Sequence, residues 1–158
     1  KFYKDYQNDK HLKGLYLHGS FGSGKSYILA ALLNELAKCG AKTVIAYYPE
    51  VLRKLKEFND DYIVIMEQLK KCDCLLLDDM GAESVTNWNR DEILGTILQY
   101  RMDAKLPTFI TSNLNIEQLE AHLSNTKSGT DVVKAKRIIE RIKQLTEDLE
   151  LISENRRR

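Results

Sequence analysis

The sequence predicts a three-layer α/β fold, in which helices cover both faces of a parallel β-sheet. Two observations favour this fold. Short apolar stretches alternate along the chain with stretches of helical apolar spacing, and a glycine-rich segment joins the first short apolar stretch to the first stretch of helical spacing. Such alternation is typical of parallel crossover units, which place their ligand at the carboxyl edge of the sheet. The 158 residues, 43% of them apolar, are enough for one domain with its own core.

The glycine-rich segment is GSFGSGKS at residues 19–26, and its spacing is that of a phosphate-binding loop. The motif needs a strand before it and a helix after it; residues 14–18 are mostly apolar, and residues 27–38 have helical spacing. Backbone N–H groups of such a loop converge on phosphate oxygens, and the dipole of the following helix adds positive potential. A dinucleotide-binding fold is excluded, because its fingerprint is GxGxxG and the glycines here run GxxGxG.

The motif therefore predicts a P-loop NTPase that binds a nucleoside triphosphate with Mg²⁺. We expect Lys25 to reach the β- and γ-phosphates and Ser26 to ligate the metal ion. The residues predicted to contact the nucleotide are Gly19, Ser20, Phe21, Gly22, Ser23, Gly24, Lys25, Ser26 and Tyr27.

A pair of aspartates follows the most apolar run of the chain, residues 74–77. A buried parallel strand that ends in this way delivers its carboxylates to the carboxyl edge of the sheet. We therefore expect Asp78 to serve Mg²⁺ opposite Ser26, and Asp79 to polarise the attacking water.

A polar residue also ends the next apolar stretch, residues 108–111. At that position Asn113 is expected to hydrogen-bond the γ-phosphate or the attacking water. Thr111 and Ser112 are the substitutes if the register of the strand differs.

The other elements are predicted from apolar spacing, turn residues and caps. In chain order they are a strand at 43–48 closed by Pro49, helices at 50–58 and 62–71, a helix at 90–103, a short helix at 116–123, a polar loop at 124–130, a long helix capped by Asp131 and ending near 145, and a last strand at 149–153.

Two arginines, Arg137 and Arg141, lie four residues apart in the long helix and so share one face. One interpretation is that an arginine from this face serves a phosphate, in trans if protomers assemble. The other is a solvated basic face paired with acidic residues such as Glu140, and the sequence leaves both open.

Composition limits the other functions. The 24 Lys and Arg residues balance 23 acidic residues, so net charge does not indicate a nucleic-acid binder. The three cysteines form no CxxC pair, which predicts reduced thiols rather than a zinc site or a disulfide framework. No stretch approaches the roughly 18 apolar residues of a membrane span, so we expect a cytoplasmic protein without a membrane partner. Because the chain starts at Lys1, we also expect it to be part of a longer polypeptide.

The stretches GSFGSGKSYILAALLNELA, LLLDDMGAE, PTFITSN and KAKRIIERIKQL, with the terminal NRRR, resemble bacterial replicative helicase loaders of the DnaI/DnaC type. The resemblance covers nearly the whole chain. It implies a single AAA+ ATPase domain over residues 1–158 with a five-stranded parallel sheet, and ATP or ADP with Mg²⁺ as ligands. It also implies binding of single-stranded DNA and delivery of a ring-shaped replicative helicase onto DNA, with a helicase-binding region outside this chain.

The resemblance also implies residue roles by matching position. Asp78 and Asp79 are the acidic pair, Asn113 is the polar sensor and Arg141 is the arginine finger. The second arginine sensor is Arg156 or one of its two neighbouring arginines. Many AAA+ proteins have Glu at the position of Asp79, so the shorter side chain implies either slow hydrolysis or a longer water bridge, with the nucleotide acting more as a switch than as fuel.

Other interpretations stay open from the sequence. The nearest is a transposition helper ATPase of the IstB kind, which shares this core; a small-molecule kinase and a scaffold that never hydrolyses nucleotide are further ones. DNA contacts are weakly encoded. Lysines and arginines at 54, 56, 134, 136, 137 and 143 are basic candidates, and Tyr47, Tyr48 and Trp88 are aromatic candidates for which core packing is the favoured alternative.

Overall fold

The computed structural model describes residues 12–57 and 59–152, which form a five-stranded parallel sheet with helices on both faces. The strand order is β2-β3-β4-β1-β7. The strands are β1 (Gly14–His18), β2 (Thr43–Tyr47), β3 (Cys74–Met80), β4 (Thr108–Ser112) and β7 (Thr146–Glu150), with a separate two-residue hairpin of β5 (Asn125–Thr126) and β6 (Gly129–Thr130). The predicted five-stranded parallel α/β fold is confirmed.

The helices connect these strands. They are α1 (Lys25–Lys38), α2 (Tyr48–Lys56), α3 (Asp61–Lys71), a π-helix (Trp88–Leu94) continued by α4 (Gly95–Asp103), α5 (Ile116–Ser124) and α6 (Val132–Leu145). Asp131 caps α6 as predicted, because its side chain accepts a hydrogen bond from the Lys134 N–H.

Two apolar clusters lie on opposite faces of the sheet. Alternate residues of a strand point to opposite faces; in β3, Leu76 packs in the cluster that contains the buried leucines of α1, whereas Leu75 and Leu77 pack in the cluster formed with α2 to α6. Helix α1 therefore covers one face, and the other described helices cover the other.

A fully buried arginine ties the amino-terminal ends of β3 and β4 together. Arg101 donates hydrogen bonds to the carbonyl oxygens of Cys72 (2.7 Å) and Pro107 (2.8 Å) and to Thr108 Oγ1 (2.8 Å). Its guanidinium supplies charged donors to buried backbone oxygens, including that of Pro107, which also accepts a hydrogen bond from the Leu75 N–H at 3.3 Å. This end of the sheet is thus fixed, on the side away from the phosphate-binding loop.

The last strand differs from its prediction. The apolar residues at 149–153 suggested a strand there, but β7 is Thr146–Glu150, in register from Gly14↔Thr146 to His18↔Glu150. An edge strand needs few apolar residues, because four of its five residues are exposed. The pattern of apolar residues therefore placed the strand about three residues too late.

Further differences from the predictions concern a helix, a loop and the position of Pro49. The predicted helix at 90–103 begins at Trp88 and opens with a π-helical segment, in which the Gly95 N–H donates to the Arg90 carbonyl. The predicted loop at 124–130 contains the β5–β6 hairpin. Pro49 lies in the first turn of α2 rather than closing β2, which suits a residue that cannot donate a backbone hydrogen bond.

Candidate functional site

The phosphate-binding loop lies between β1 and α1, at the carboxyl edge of the sheet, where β3 and β4 also end. Gly24 precedes the first residue of α1 with φ 90° and ψ 14°, a left-handed conformation that glycine adopts without strain. A Cβ atom on Gly19 would collide with the carbonyl oxygen of Leu151, just beyond β7. The glycine spacing is thus required both by the turn and by close packing.

Lys25 is buried and folds back over the loop. Its Nζ atom donates to the carbonyl oxygens of Gly19 (3.0 Å) and Ser20 (2.9 Å), to Ser23 Oγ (3.2 Å) and to Asn113 Oδ1 (3.0 Å). The ammonium group therefore lies where the loop and the end of β4 meet. The contact brings the predicted phosphate-binding lysine and the predicted polar sensor together.

The electrostatics of Lys25 reflect this position. Burial lowers the pKa of its ammonium group, and the carboxylates of Asp79 and Asp78 act in the opposite direction. The two acidic residues therefore favour a charged lysine at the place where a triphosphate would need positive charge.

Ser26 and Asp78 form the set of oxygens expected at a magnesium site. Ser26 Oγ donates to Asp78 Oδ1 at 2.6 Å, and the same carboxylate oxygen accepts a hydrogen bond from Thr111 Oγ1 at 2.7 Å. A hydroxyl and a carboxylate are hard oxygen ligands, which suit Mg²⁺ shared with phosphates. The donor set therefore fits the metal ion that the motif implies.

Asp79 leaves the regular strand geometry. Its φ is 61°, and the pairing between β3 and β4 shifts register between Leu77 and Met80. The Asp79 N–H donates to Thr111 Oγ1 at 2.9 Å, and its Oδ2 accepts a hydrogen bond from the hydroxyl of Tyr47 at 3.2 Å. The Asp79 carboxylate raises the pKa of the Tyr47 phenol, mainly by charge repulsion of the phenolate.

The last residues of β3 and β4 are hydrogen-bonded to each other, and the segments that follow them pack together. Ser112 Oγ donates to the Met80 carbonyl oxygen (2.5 Å) and accepts from the Leu114 N–H (3.0 Å). A Cβ on Gly81 would come within 2.9 Å of Leu114 Cδ1. This packing fixes the backbone on both sides of Asn113.

A buried acidic residue supports the loop after β3. Glu83 Oε2 accepts from the Gly81 N–H at 2.7 Å, and Glu83 Oε1 lies 3.6 Å from His122 Nε2 on α5. The Glu83 carboxylate raises the pKa of His122 against the opposing effect of burial. Local sequence patterns do not connect Glu83 with His122, because the two residues are far apart along the chain.

Arg141 does not join the cluster around Lys25. It is half-buried on α6, on the sheet face opposite α1, and its Nη1 donates to the Gly95 carbonyl oxygen at 3.2 Å. Arg156 and the other residues of the terminal arginine run lie outside the described residues.

The remaining predicted contacts fall in several places. Phe21 and Tyr27 are about four-fifths exposed beside the loop, at 82% and 80%. Among the aromatic candidates for DNA, Tyr48 is buried in the core and is excluded as a stacking surface, Trp88 packs partly against the core, and Tyr47 contacts Asp79. On α6, Lys134 pairs with Asp91 at 3.3 Å.

Two contributors to the site were not predicted as such. Thr111 was only a substitute for Asn113, and Tyr47 was only a DNA candidate; both contact the acidic pair. Both residues could have been predicted as part of the site, because they lie near the carboxyl ends of the strands that flank β3. In the ranges 12–57 and 59–152 no group of three or more His, Cys, Asp or Glu residues forms a metal site, and no helix is long and apolar enough to cross a membrane.

Comparisons with known proteins relate this site to a family. The family model described as "IstB-like ATP binding protein" matches residues 5–157. The replicative helicase loader DnaI of Bacillus subtilis (strain 168) is 44% identical over 159 residues, which cover 99% of this chain and 51% of that protein. The replicative helicase loader DnaC of Escherichia coli (strain K12) is 25% identical over 115 residues, covering 70% of this chain and 46% of that protein.

A solved structure is also similar. A crystal structure of DnaI aligns with a TM-score of 0.84 and 45% sequence identity, covering 96% of this chain and 81% of that chain. The resemblance to helicase loaders of the DnaI/DnaC type and the AAA+ fold are thus confirmed. The chain spans about half the length of the curated relatives it matches.

Proposed function

Because the chain belongs to the family of IstB-like ATP-binding proteins, we propose that it binds and hydrolyses ATP as the AAA+ part of a primosomal helicase loader. The observation that carries this proposal is the meeting of Lys25, Ser26, Asp78 and Asn113 at one edge of the sheet. The partners are the replicative ring helicase and single-stranded DNA, and the place of action is the cytoplasm. The names of the relatives DnaI and DnaC support this role.

The loop first exchanges internal contacts for phosphate contacts. Lys25 gives up the carbonyl oxygens of Gly19 and Ser20 and bonds the β- and γ-phosphates, while the backbone N–H groups of the loop and the start of α1 bind the remaining oxygens. Asn113, already 3.0 Å from Lys25 Nζ, then hydrogen-bonds the γ-phosphate. Phe21 and Tyr27 flank the nucleotide from the exposed side of the loop.

Ser26 and Asp78 are the residues that would hold Mg²⁺. When bound, the ion would neutralise the charge that develops on the phosphate oxygens. Asp79 orients the attacking water with its carboxylate and accepts its proton. An aspartate here is shorter than a glutamate, and Tyr47 already occupies its Oδ2 atom, so turnover is slow.

Arg141 acts on the nucleotide of a neighbouring protomer. It lies on the sheet face opposite α1, so a second copy is better placed than its own chain to receive it. An arginine supplied in trans makes hydrolysis depend on assembly. Arg156, outside the described residues, is the second arginine that senses nucleotide.

DNA binding is proposed for the basic residues of α6. Lys136, Arg137 and Lys143 are exposed on this helix and can contact phosphates without reading bases. Such binding weakens steeply with salt. No described residue is assigned to the helicase contact, and the chain spans about half the length of the helicase loaders that it matches.

The second candidate is a transposition helper ATPase of the IstB kind, which the name of the matching family favours. A pull-down with the full-length protein distinguishes the two. Retention of the cognate replicative helicase supports the loader, whereas retention of a transposase without the helicase contradicts it. Phosphorylation of a nucleoside or nucleotide acceptor in a coupled assay would instead favour a small-molecule kinase.

The chemistry is tested separately with Asp79→Asn. This change keeps the size of the side chain but removes the base, so we expect ATP affinity to stay within about twofold and turnover to fall about 100-fold or more. Unchanged turnover would remove Asp79 from the mechanism. Binding without any turnover in the wild type, even with DNA and helicase present, would favour a scaffold.

A further inference from the structure

Thr111 lies between the two aspartates of the site. It is the fourth residue of β4, its exposed fraction is 2%, and its hydroxyl makes two hydrogen bonds to neighbouring β3. Oγ1 donates to Asp78 Oδ1 at 2.7 Å and accepts from the Asp79 N–H at 2.9 Å. A hydroxyl has one proton, so accepting from Asp79 leaves that proton directed at Asp78.

The first bond fixes the proposed metal ligand. Asp78 Oδ1 accepts from both Ser26 Oγ and Thr111 Oγ1, which approach from α1 and from β4. A carboxylate held from two sides loses the freedom to rotate away from the serine. Groups that orient metal ligands in this way typically change metal affinity or activity about 10- to 100-fold when they are removed.

The second bond fixes the proposed water-orienting residue. Asp79 has a left-handed φ of 61°, at the point where the β3–β4 register shifts. Such a conformation is uncommon outside glycine, although aspartate tolerates it better than most residues. The Thr111 hydroxyl receives the Asp79 N–H at this irregularity and so stabilises the turn that directs the carboxylate towards Tyr47.

We propose that Thr111 is a positioning residue that sets the metal ligand Asp78 and the water-orienting residue Asp79 together through one buried hydroxyl. This inference rests on the proposed function, because it concerns the same ATP site. Thr111 acts through the two aspartates. Its loss therefore weakens Mg²⁺ binding and turnover together, and it leaves metal-free contacts between the loop and the nucleotide intact.

The test compares Thr111→Val, which removes the hydroxyl at nearly constant volume, with Thr111→Ser, which keeps it. Thr146→Val is the matched control, since Thr146 is also a buried strand threonine and donates to the Ile142 carbonyl oxygen at 2.7 Å, away from the site. Calorimetry measures nucleotide affinity in EDTA and across a Mg²⁺ titration. Steady-state assays measure kcat and KM separately.

We expect Thr111→Val to lower kcat and the apparent Mg²⁺ affinity by about 10- to 100-fold. The affinity of Thr111→Val for nucleotide in EDTA should stay within about twofold of wild type. Thr111→Ser should keep kcat and the apparent Mg²⁺ affinity within about threefold of wild type. Thr146→Val should show the Mg²⁺ dependence of wild type. Should Thr111→Val fail to fold, Thr111→Ala is measured in the same way.

Three results would overturn the inference alone: wild-type Mg²⁺ dependence and kcat in folded Thr111→Val, an equal loss in Thr111→Ser, or the same loss in Thr146→Val. A folded wild type that binds no ATP, with or without Mg²⁺, overturns the proposed function and this inference with it.

Discussion

Tyr47 and Asp79 form the contact at which single atoms matter most for the proposed hydrolysis. The Tyr47 hydroxyl, on an edge strand, donates to Asp79 Oδ2 at 3.2 Å. A carboxylate oxygen that accepts from a phenol is less available to a water molecule. The contact therefore restrains the residue that we assign to water activation.

Replacing Tyr47 with Phe removes this competition. We expect turnover to rise about two- to fivefold, which corresponds to one neutral hydrogen bond of about 1 kcal/mol, with ATP affinity unchanged. Because Asp79 raises the pKa of Tyr47 above its usual value of 10, the phenol stays protonated and the ratio of variant to wild type should be constant from about pH 6 to 9. Tyr100→Phe on α4 is the control. A fall in turnover, or a ratio that changes across this pH range, would contradict the assignment.

For single residues, the sequence predicts those of the motif but not the neighbouring side chains that contact them. Lys25, Ser26 and Asp78 follow from local spacing and strand ends. Thr111 and Tyr47 reach the acidic pair only through the pairing of β2, β3 and β4, and each lies about 32 positions from its partner. Register between distant strands, with a shift inside β3, is not encoded in local patterns.

Among the secondary-structure elements, helix α5 is connected to the loop after β3 through an ion pair. The Glu83 carboxylate caps the Gly81 N–H and lies 3.6 Å from His122 on the helix. The pKa of His122 is raised above its unfolded value of 6.5. Protonated His122 therefore stabilises the folded state below about pH 6.5, and this contribution is lost as pH rises through the higher folded pKa.

The stability lost in His122→Gln should accordingly depend on pH. We expect the difference in unfolding midpoint between wild type and His122→Gln to be larger at pH 6 than at pH 9, as measured by thermal denaturation monitored by circular dichroism. Glu83→Gln keeps an oxygen for the Gly81 N–H but removes the charge. In protein that already carries Glu83→Gln, the loss of unfolding midpoint caused by His122→Gln should therefore be no larger at pH 6 than at pH 9. An equal difference at both pH values would show that the ion pair does not contribute.

Element boundaries show where sequence patterns stop being informative. The buried strand β3 was evident from its apolar run, and α6 from its spacing and its Asp131 cap. Most side chains of the edge strand β7 face solvent, and the strand is accordingly polar. The prediction relied on apolar residues near its end and therefore placed the strand three residues too late. The π-helix has the same apolar content as an α-helix, and only its hydrogen bonds distinguish the two.

Across the whole molecule, the two sheet faces separate the halves of the proposed catalytic site. Helix α1 packs on one face, with the phosphate-binding loop before it at the sheet edge, and Arg141 lies on α6, which packs on the other face. A contact that joins opposite faces of two copies is heterologous, so it extends into a ring or a helical array. The order of strands and helices was predictable from their alternation, but this separation required the sheet topology.

Mixing two variants tests whether Arg141 of one protomer acts on the nucleotide of another. Arg141→Ala and Asp79→Asn should each be nearly inactive alone, and their mixture should recover part of the wild-type turnover, because some interfaces then combine an intact acidic pair with an intact arginine. The assay is steady-state ATP hydrolysis at several mixing ratios, with Gln144→Ala, at an exposed position of the same helix, as the variant that should remain active. Absence of recovery at every ratio would assign Arg141 a structural role through the Gly95 carbonyl.

The central claim is that the turn after β1 binds a triphosphate through Lys25. Calorimetric titration of ATP with Mg²⁺ into wild type, Lys25→Ala and the exposed control Lys38→Ala tests it most directly. We expect tight binding by wild type and Lys38→Ala, and affinity about 100-fold weaker in Lys25→Ala, since a charged hydrogen-bond donor contributes up to about 3 kcal/mol. Equal affinity in folded Lys25→Ala, or no heat of binding in folded wild type, would contradict the account.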